Sequence, residues 1–346
     1  MAHVLPLLHL GGVILVTGGT GFTGSHLVRS LLRDYGRVRI ITRSAARAAR
    51  TLPPGVEVVV GDITDRATVN RAMEDCEVVF NLAAAFREPG ITEGRYAEVH
   101  VEGTRHLLDA AREHGVRRFV HCSTVGVLSH IERPPADETW PYSPGDVYQA
   151  TKAEGERLAL AYAREMAVPV TVARPTPIYG PGDTRLLKLF RMISRRRFIM
   201  LGSGDVYFHM IHVEDLVRGL RLMAVHPDAP GEVFILGGGE YQTLNQVVAL
   251  IAKEVGVPAP RLHLPARPFQ WLGTACERVC VPLGISPPIY RRRVDFFTKS
   301  RAFSIRKARE VLGFVPEIDL ESGIRETVAW YRGQGQLPAE RLMQPA

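Results

Sequence analysis

Val13-Ile14-Leu15-Val16-Thr17-Gly18-Gly19-Thr20-Gly21-Phe22-Thr23-Gly24-Ser25 is the stretch on which the fold turns. A β-prone run, Val13–Thr17, passes without a break into a glycine-rich turn, and helical periodicity begins near Ser25 and continues through Leu27–Leu32. Gly18, Gly21 and Gly24 stand at G-x-x-G-x-x-G spacing between strand and helix. One glycine makes the tight turn, one lets a pyrophosphate approach the backbone, and one lets the helix pack on the sheet. Free N–H groups and the positive end of the helix then hold the anion.

Outward from this loop, short β-rich runs alternate with helical patterns, the signature of a parallel sheet wrapped by helices. Strands are expected at Val13–Thr17, Val38–Thr42, Val56–Val60, Val78–Asn81, Arg118–His121 and Val170–Ala173, with helical segments such as Leu27–Leu32 and His106–His114 between them. The fold class is α/β, a Rossmann-type doubly wound parallel sheet with a smaller C-terminal substrate-binding domain. Residues 1–180 make the dinucleotide-binding domain, and its sheet is completed by about 206–236, where Val233–Leu236 is strand-like. Residues 181–205 and 237–346 make the substrate-binding region. Within it, Leu264–Tyr290 reads as a lid or pocket wall and Leu320–Tyr331 as a closing amphipathic helix.

The end of the second strand selects the dinucleotide. An acidic residue there binds the ribose 2′-hydroxyl of NAD, whereas an arginine accommodates the 2′-phosphate of NADP. This strand ends Ile41-Thr42-Arg43-Ser44, so Arg43 is placed to pair a phosphate bidentately, which favours NADP(H). Stacking of Arg43 on the adenine would suit either cofactor, and NAD(H) stays open. Asp62 ends the third strand and can accept the adenine amino hydrogen. Asn81-Leu82-Ala83-Ala84 ends the fourth, where small residues leave room for the cofactor.

Tyr148 and Lys152 open a helical run through Met166, and their i, i+4 spacing puts both side chains on one face. Moving hydride from an alcohol carbon needs a base that works near neutral pH. Free tyrosine titrates near 10, so a shift of about three units, roughly 4 kcal/mol, is required. A lysine cation about 4 Å away supplies on the order of 4 kcal/mol at an effective dielectric near 20. Thr124, after the fifth strand, offers a hydroxyl to hold the substrate oxygen, or else bonds its own backbone.

In this order and spacing, the motifs resemble the extended short-chain dehydrogenase/reductase family, also called the NAD-dependent epimerase/dehydratase family, over nearly the whole chain. The set is Gly18-x-x-Gly21-x-x-Gly24, Asp62, Asn81-Leu82-Ala83-Ala84, Ser123-Thr124, Tyr148-x-x-x-Lys152, Arg174-Pro175, Ile178–Asp183 and Ile211–Asp215. The resemblance implies Tyr148 as acid/base, Lys152 on the nicotinamide ribose, and Thr124 on the substrate oxygen. It implies cofactor contacts from Gly18, Gly21, Phe22, Thr23, Gly24, Arg43, Asp62, Ile63, Leu82, Ala83, Ala84, Tyr148, Lys152 and Pro175. It implies substrate contacts from Phe86, Ser123, Thr124, Arg185 and Phe208, and a homodimer through paired helices. His100 stands where the family often has Asn, and Phe208 where sugar-nucleotide epimerases commonly carry an arginine. The C-terminal third is similar to the 3β-hydroxysteroid dehydrogenase and sterol-decarboxylase branch, and Val38–Arg43 to NADPH-dependent dihydroflavonol reductases.

The family's base rate puts a nucleotide-activated sugar first as substrate, with Arg185, Lys188, Arg191 and Arg291–Arg293 as candidate diphosphate contacts. The alternative is an apolar alcohol or ketone held by the 264–290 wall. A non-catalytic NAD(P)-sensing or RNA-binding protein is disfavoured by intact Tyr148, Lys152 and Thr124. The chain has 346 residues and a formal charge of +7, carried almost wholly by arginine. The short runs Arg195–Arg197 and Arg291–Arg293 lack interleaved aromatics, so no nucleic-acid partner is expected. Peripheral membrane contact through 264–290 is a weaker reading than a domain wall. No apolar run reaches the roughly 18 residues of a membrane span. Cys76, Cys122, Cys276 and Cys280 make no disulfide framework or zinc spacing, so neither metal nor disulfide is expected. Met1–Leu10 reads as a start-site extension, and the expected location is cytoplasmic.

Overall fold

The computed structural model describes residues 11–85, 91–129, 131–280 and 291–339, without the side chains of 277, 279 and 291–293. Val13–Thr17 (β1) is buried from end to end, with Ile14 and Val16 in one core and Val13 and Leu15 in another. A strand that alternates apolar side chains to two faces needs cover on both. The chain supplies it in order: α1 (Phe22–Tyr35), β2 (Val38–Thr42), α2 (Ala45–Thr51), β3 (Glu57–Val60), α3 (Arg66–Met73), β4 (Cys76–Asn81) and α4 (Glu93–Ala97). A π-helical turn (Glu98–Glu102), α5 (Gly103–Glu113), β5 (Arg118–Cys122), a 3₁₀ turn (Val125–Leu128), α6 (Val147–Glu165) and β6 (Val170–Pro175) follow.

Beyond β6 the elements shorten: β7 (Ile178–Tyr179), α7 (Leu187–Ser194), β8 (Met200–Leu201), β9 (Tyr207–Phe208), β10 (Ile211–His212), α8 (Val213–Val225) and β11 (Val233–Leu236). Then come β12 (Gln242–Thr243), α9 (Leu244–Val255), β13 (His263–Leu264), α10 (Ala266–Cys280), α11 (Arg291–Thr298), α12 (Arg306–Leu312) and α13 (Leu320–Gly333).

Seven strands pair in the order β11-β6-β5-β4-β1-β2-β3, all parallel. The chain winds outward from β1 to β3, then returns to β4 on the other side of β1. That reversal opens a crevice at the carboxyl ends of β1 and β4. Side chains of α1, α8 and α12 build the core on one face, and those of α3, α5 and α6 build the other. A third apolar core, including Phe190, Phe198, Phe208, Val247, Ile324 and Tyr331, joins α7, α9 and α13.

Two expectations are corrected. α1 starts at Phe22 rather than near Ser25, because Gly24 lies in its first turn; a Cβ there would sit 2.2 Å from the Gly18 carbonyl oxygen. Of residues 206–236, only β11 joins the large sheet. β9 pairs with β12 and β10 with β7, and His212 ends β10 by capping α8 through the Glu214 N–H. Residues 266–280 of the segment expected as a lid or pocket wall form helix α10, packed against α11, and 281–290 lies outside the described residues. Its Cys276 and Cys280 are free thiols. Among the described residues no helix is long and apolar enough to cross a membrane, and no cluster of three metal-binding side chains occurs.

Candidate active site

A cavity of about 1600 Å³ runs along the carboxyl ends of β2, β1, β4, β5 and β6. Its floor begins at the glycine loop. Gly18 has φ +67°, and a Cβ on it would meet the Leu82 carbonyl oxygen at 2.8 Å. The N-cap of α1 is Gly21, with no side-chain cap and no acidic residue in the first turn. The first-turn N–H groups and the positive end of the helix therefore remain for an anion. Glycine thus lets the loop press against the end of β4, and the uncapped amides it leaves on the cavity fit a dinucleotide pyrophosphate. Phe22, Thr23 and Gly24 line the same cavity.

At one end stand Arg43, Asp62 and Ile63, as expected, joined by Arg47 and Arg95. Asp62 Oδ1 accepts from the Thr64 N–H and hydroxyl at 3.1 Å each, and its Oδ2 accepts from Arg95. Burial pushes the Asp62 pKa up, but these bonds outweigh it and hold the carboxyl below the usual range. A carboxylate offers about four lone-pair sites, so Asp62 keeps capacity for one more donor. Ala83 is fixed from beneath: its N–H donates to Thr17 Oγ1 at 3.1 Å, and Thr17 donates to Asn81 Oδ1 at 2.7 Å. Leu82 and Ala84 line the cavity beside it.

The structure brings Thr124, Tyr148, Lys152 and Pro175 together at the cavity's other part. The Asp146 side chain caps α6 by accepting the Gln149 N–H at 2.8 Å, which starts the helix one residue before Tyr148. Lys152 is 3% exposed and donates to the Cys122 carbonyl at 2.6 Å; burial lowers its pKa. Thr124 Oγ1 accepts the Gly126 N–H at 3.0 Å, so the backbone role anticipated for it is real. That bond uses only a lone pair, and the hydroxyl hydrogen is still available to donate. His100 packs edge-on to the Tyr148 ring, with centroids 5.4 Å apart.

The residues expected at the substrate are placed less uniformly. Ser123 lines the cavity, but its hydroxyl donates inward to Glu156 at 2.5 Å, holding the end of β5. Arg185 lines it too, yet donates Nε to Asp183 at 2.8 Å and Nη2 to the Ile178 carbonyl at 2.6 Å, with its guanidinium over the Phe22 ring. Phe208 is not on the cavity wall: it is buried against Phe296, because β9 turns Tyr207 outward and Phe208 into the third core. Arg191 spends its Nε on the Gln336 carbonyl. Phe86 and the side chains of Arg291–Arg293 lie outside the described residues.

Sequence reasoning missed Arg95 and Arg301, and the aromatic wall of Phe198, Phe296, Phe297 and Phe303, all of which line the cavity. The wall comes from three separated segments with no shared motif. Lys188 lines the cavity as anticipated.

The family described as NAD dependent epimerase/dehydratase matches residues 14–237. A 3β-hydroxysteroid dehydrogenase/Δ5→4-isomerase of Mycobacterium tuberculosis is 31% identical over 92% of this chain and 90% of its own. A dTDP-glucose 4,6-dehydratase of Streptomyces antibioticus is 32% identical over 92% of each. Among solved structures, a dTDP-glucose 4,6-dehydratase of Streptomyces venezuelae with NAD bound superposes with a TM-score of 0.74, at 26% identity over 92% of this chain and 97% of that one.

Proposed function

The chain belongs to the NAD dependent epimerase/dehydratase family, and from that premise we propose that it transfers hydride between NADP(H) and a carbinol or keto carbon of an apolar ring substrate. The observation that carries the substrate class is the wall of Phe198, Phe296, Phe297 and Phe303, joined on the same cavity by Leu189 and Met192. Aromatic and aliphatic lining rewards burial of an apolar body, at about 25 cal/mol per Å². The 3β-hydroxysteroid dehydrogenase among the relatives acts on a molecule of that kind.

The bound nicotinamide supplies the hydride acceptor or donor. Tyr148 holds the substrate oxygen and passes its proton, while the Thr124 hydroxyl donates to the same oxygen. Lys152 assists electrostatically. Its ammonium is held by the Cys122 carbonyl at 2.6 Å on the cavity wall that also carries Tyr148. Arg43 supports NADP(H), since β2 ends without a carboxylate to meet a 2′-hydroxyl.

A nucleotide-activated sugar is the second reading, favoured by the cations Lys188 and Arg301 on the wall and by the dTDP-glucose dehydratases among the relatives. Parallel assays with cyclic secondary alcohols, their ketones, and dTDP- and UDP-sugars, followed by nicotinamide absorbance and product analysis, separate the two. The expected result is turnover of the apolar set alone, abolished by Tyr148→Phe. Turnover of the sugar set alone reverses the substrate class, and an unimpaired Tyr148→Phe enzyme removes the acid/base assignment.

A further inference from the structure

Helix α10 divides its residues between two faces at helical spacing. Ala266, Phe269, Gln270, Gly273 and Thr274 are buried or half-buried, and on this side Gln270 Nε2 donates to Thr298 Oγ1 of α11 at 3.4 Å. Arg267, Trp271, Leu272, Ala275 and Arg278 are exposed on the other, with Trp271 at 80% and Leu272 at 48%. The paired strands β8 and β13, the second of which runs straight into this helix, leave Ile199 and Leu262 exposed as well. Single apolar side chains on a surface are ordinary, but neighbouring ones that include a tryptophan mark a face that meets something less polar than water.

Charge identifies the partner. Residues 186–204 and 255–276, which hold β8, β13 and most of α10, contain no Asp or Glu. Arg195–Arg197, Arg261 and Arg267 stand exposed in these same stretches. A bilayer surface accommodates both features. Arginine stems lie along apolar surface with their heads at lipid phosphates, and tryptophan favours the same interfacial depth. We propose that the outer face of α10 docks the protein on an anionic lipid surface, as a helix lying in the plane of the headgroups. Peripheral contact here ranks below a domain wall on sequence alone; the structure gives the wall to Phe296 and Phe297 of α11 and turns α10 outward.

The docking face and the cavity stand close together. Buried Phe198, between exposed Arg197 and Ile199, packs on the Phe297 ring with centroids 6.0 Å apart, and both rings line the cavity. A Cβ on Gly202, just past β8, would lie 3.8 Å from both the Ala266 Cβ of α10 and the Phe297 carbonyl oxygen. An apolar ring substrate partitions into bilayers, so docking brings its source beside the aromatic wall. This delivery route rests on the apolar-substrate reading above, whereas the docking itself does not.

The test measures cosedimentation of the full chain, without substrate, with vesicles of phosphatidylcholine alone and of equimolar phosphatidylcholine and phosphatidylserine. Tryptophan emission is the second readout. The expected outcome is binding to the mixed vesicles, a blue shift on binding, and weakening by added salt. The double variant Trp271→Ser with Leu272→Ser should lose about tenfold or more in partitioning, at an unchanged urea midpoint. Arg267→Glu with Arg278→Glu should bind the mixed vesicles no better than phosphatidylcholine alone. Wild-type protein that sediments with neither vesicle, or a Trp271/Leu272 variant that binds as tightly as wild type, overturns the inference. A wild-type dimer that this variant turns into a monomer, with vesicle binding unchanged, assigns the face to a second copy and overturns it too. Turnover of the sugar set alone overturns the delivery route but not the docking.

Discussion

His100 sits at a corner where three pieces of chain meet. Its Nε2 accepts the Ala85 N–H at 3.1 Å and its Nδ1 lies 2.8 Å from Thr151 Oγ1, which itself donates to the Val147 carbonyl. A ring that accepts at Nε2 carries its proton on Nδ1 and is neutral. Burial first, and then the Lys152 cation, push its pKa down to about 3. The folded protein thus binds fewer protons than the unfolded chain between about pH 3 and 6.5, and stability is lost as pH falls through that window. From pH 7 to 5 this group accounts for about 2 kcal/mol. Urea unfolding at both values should find His100→Asn less pH-sensitive by about that amount, and identical pH dependence in the two proteins would assign the effect elsewhere. The role of His100 was not legible in the sequence, because its partners Ala85 and Thr151 lie 15 and 51 residues away. Tyr148 and Lys152 were legible, because helical spacing alone puts them on one face.

Helix α6 shows how an element carries a site. It presents Tyr148, Lys152, Gly155 and Glu156 in successive turns, each facing a different neighbour. A Cβ on Gly155 would lie 2.3 Å from the His100 carbonyl oxygen, so glycine is what lets α6 press against the π-helical turn. Glu156, fully buried, accepts from Arg174 Nε and Nη2 at 3.0 and 2.6 Å, from the Tyr142 hydroxyl at 2.8 Å, and from Ser123. This cluster pins α6 to the ends of β5 and β6 and so sets Lys152 against Cys122. Removing one member leaves a buried charge uncompensated: Arg174→Met should cost about 3–5 kcal/mol in urea unfolding. Adding Glu156→Leu should recover much of that, and a double variant no better than the single would contradict a paired-charge origin. Arg174 was visible as part of a motif, but its duty at this cluster depends on β6 lying beneath α6.

For the molecule as a whole, ligand binding and stability are linked. A dinucleotide that binds only the folded state adds about 2.7 kcal/mol at one hundred times its Kd. Thermal unfolding should therefore show a large NADPH-dependent rise that Tyr148→Phe retains. Arg43→Ala should shrink the rise with NADPH while leaving that with NADH unaltered at matched concentration. Equal loss for both cofactors would remove the 2′-phosphate role. What could be read from residues alone was everything that depends on neighbours in the chain: β1 running into its glycine cradle, the strand–helix alternation, the Arg43 that ends β2, and the i, i+4 pair on α6. These depend on spacing and residue type, which local backbone geometry converts directly into direction. The aromatic wall, the inward turn of Ser123 and Phe208 and the internal engagement of Arg185 came from assembly. An apolar or hydroxyl side chain carries no mark of whether it will face a core, a partner or a cavity. That outcome depends on which distant segments pack against it.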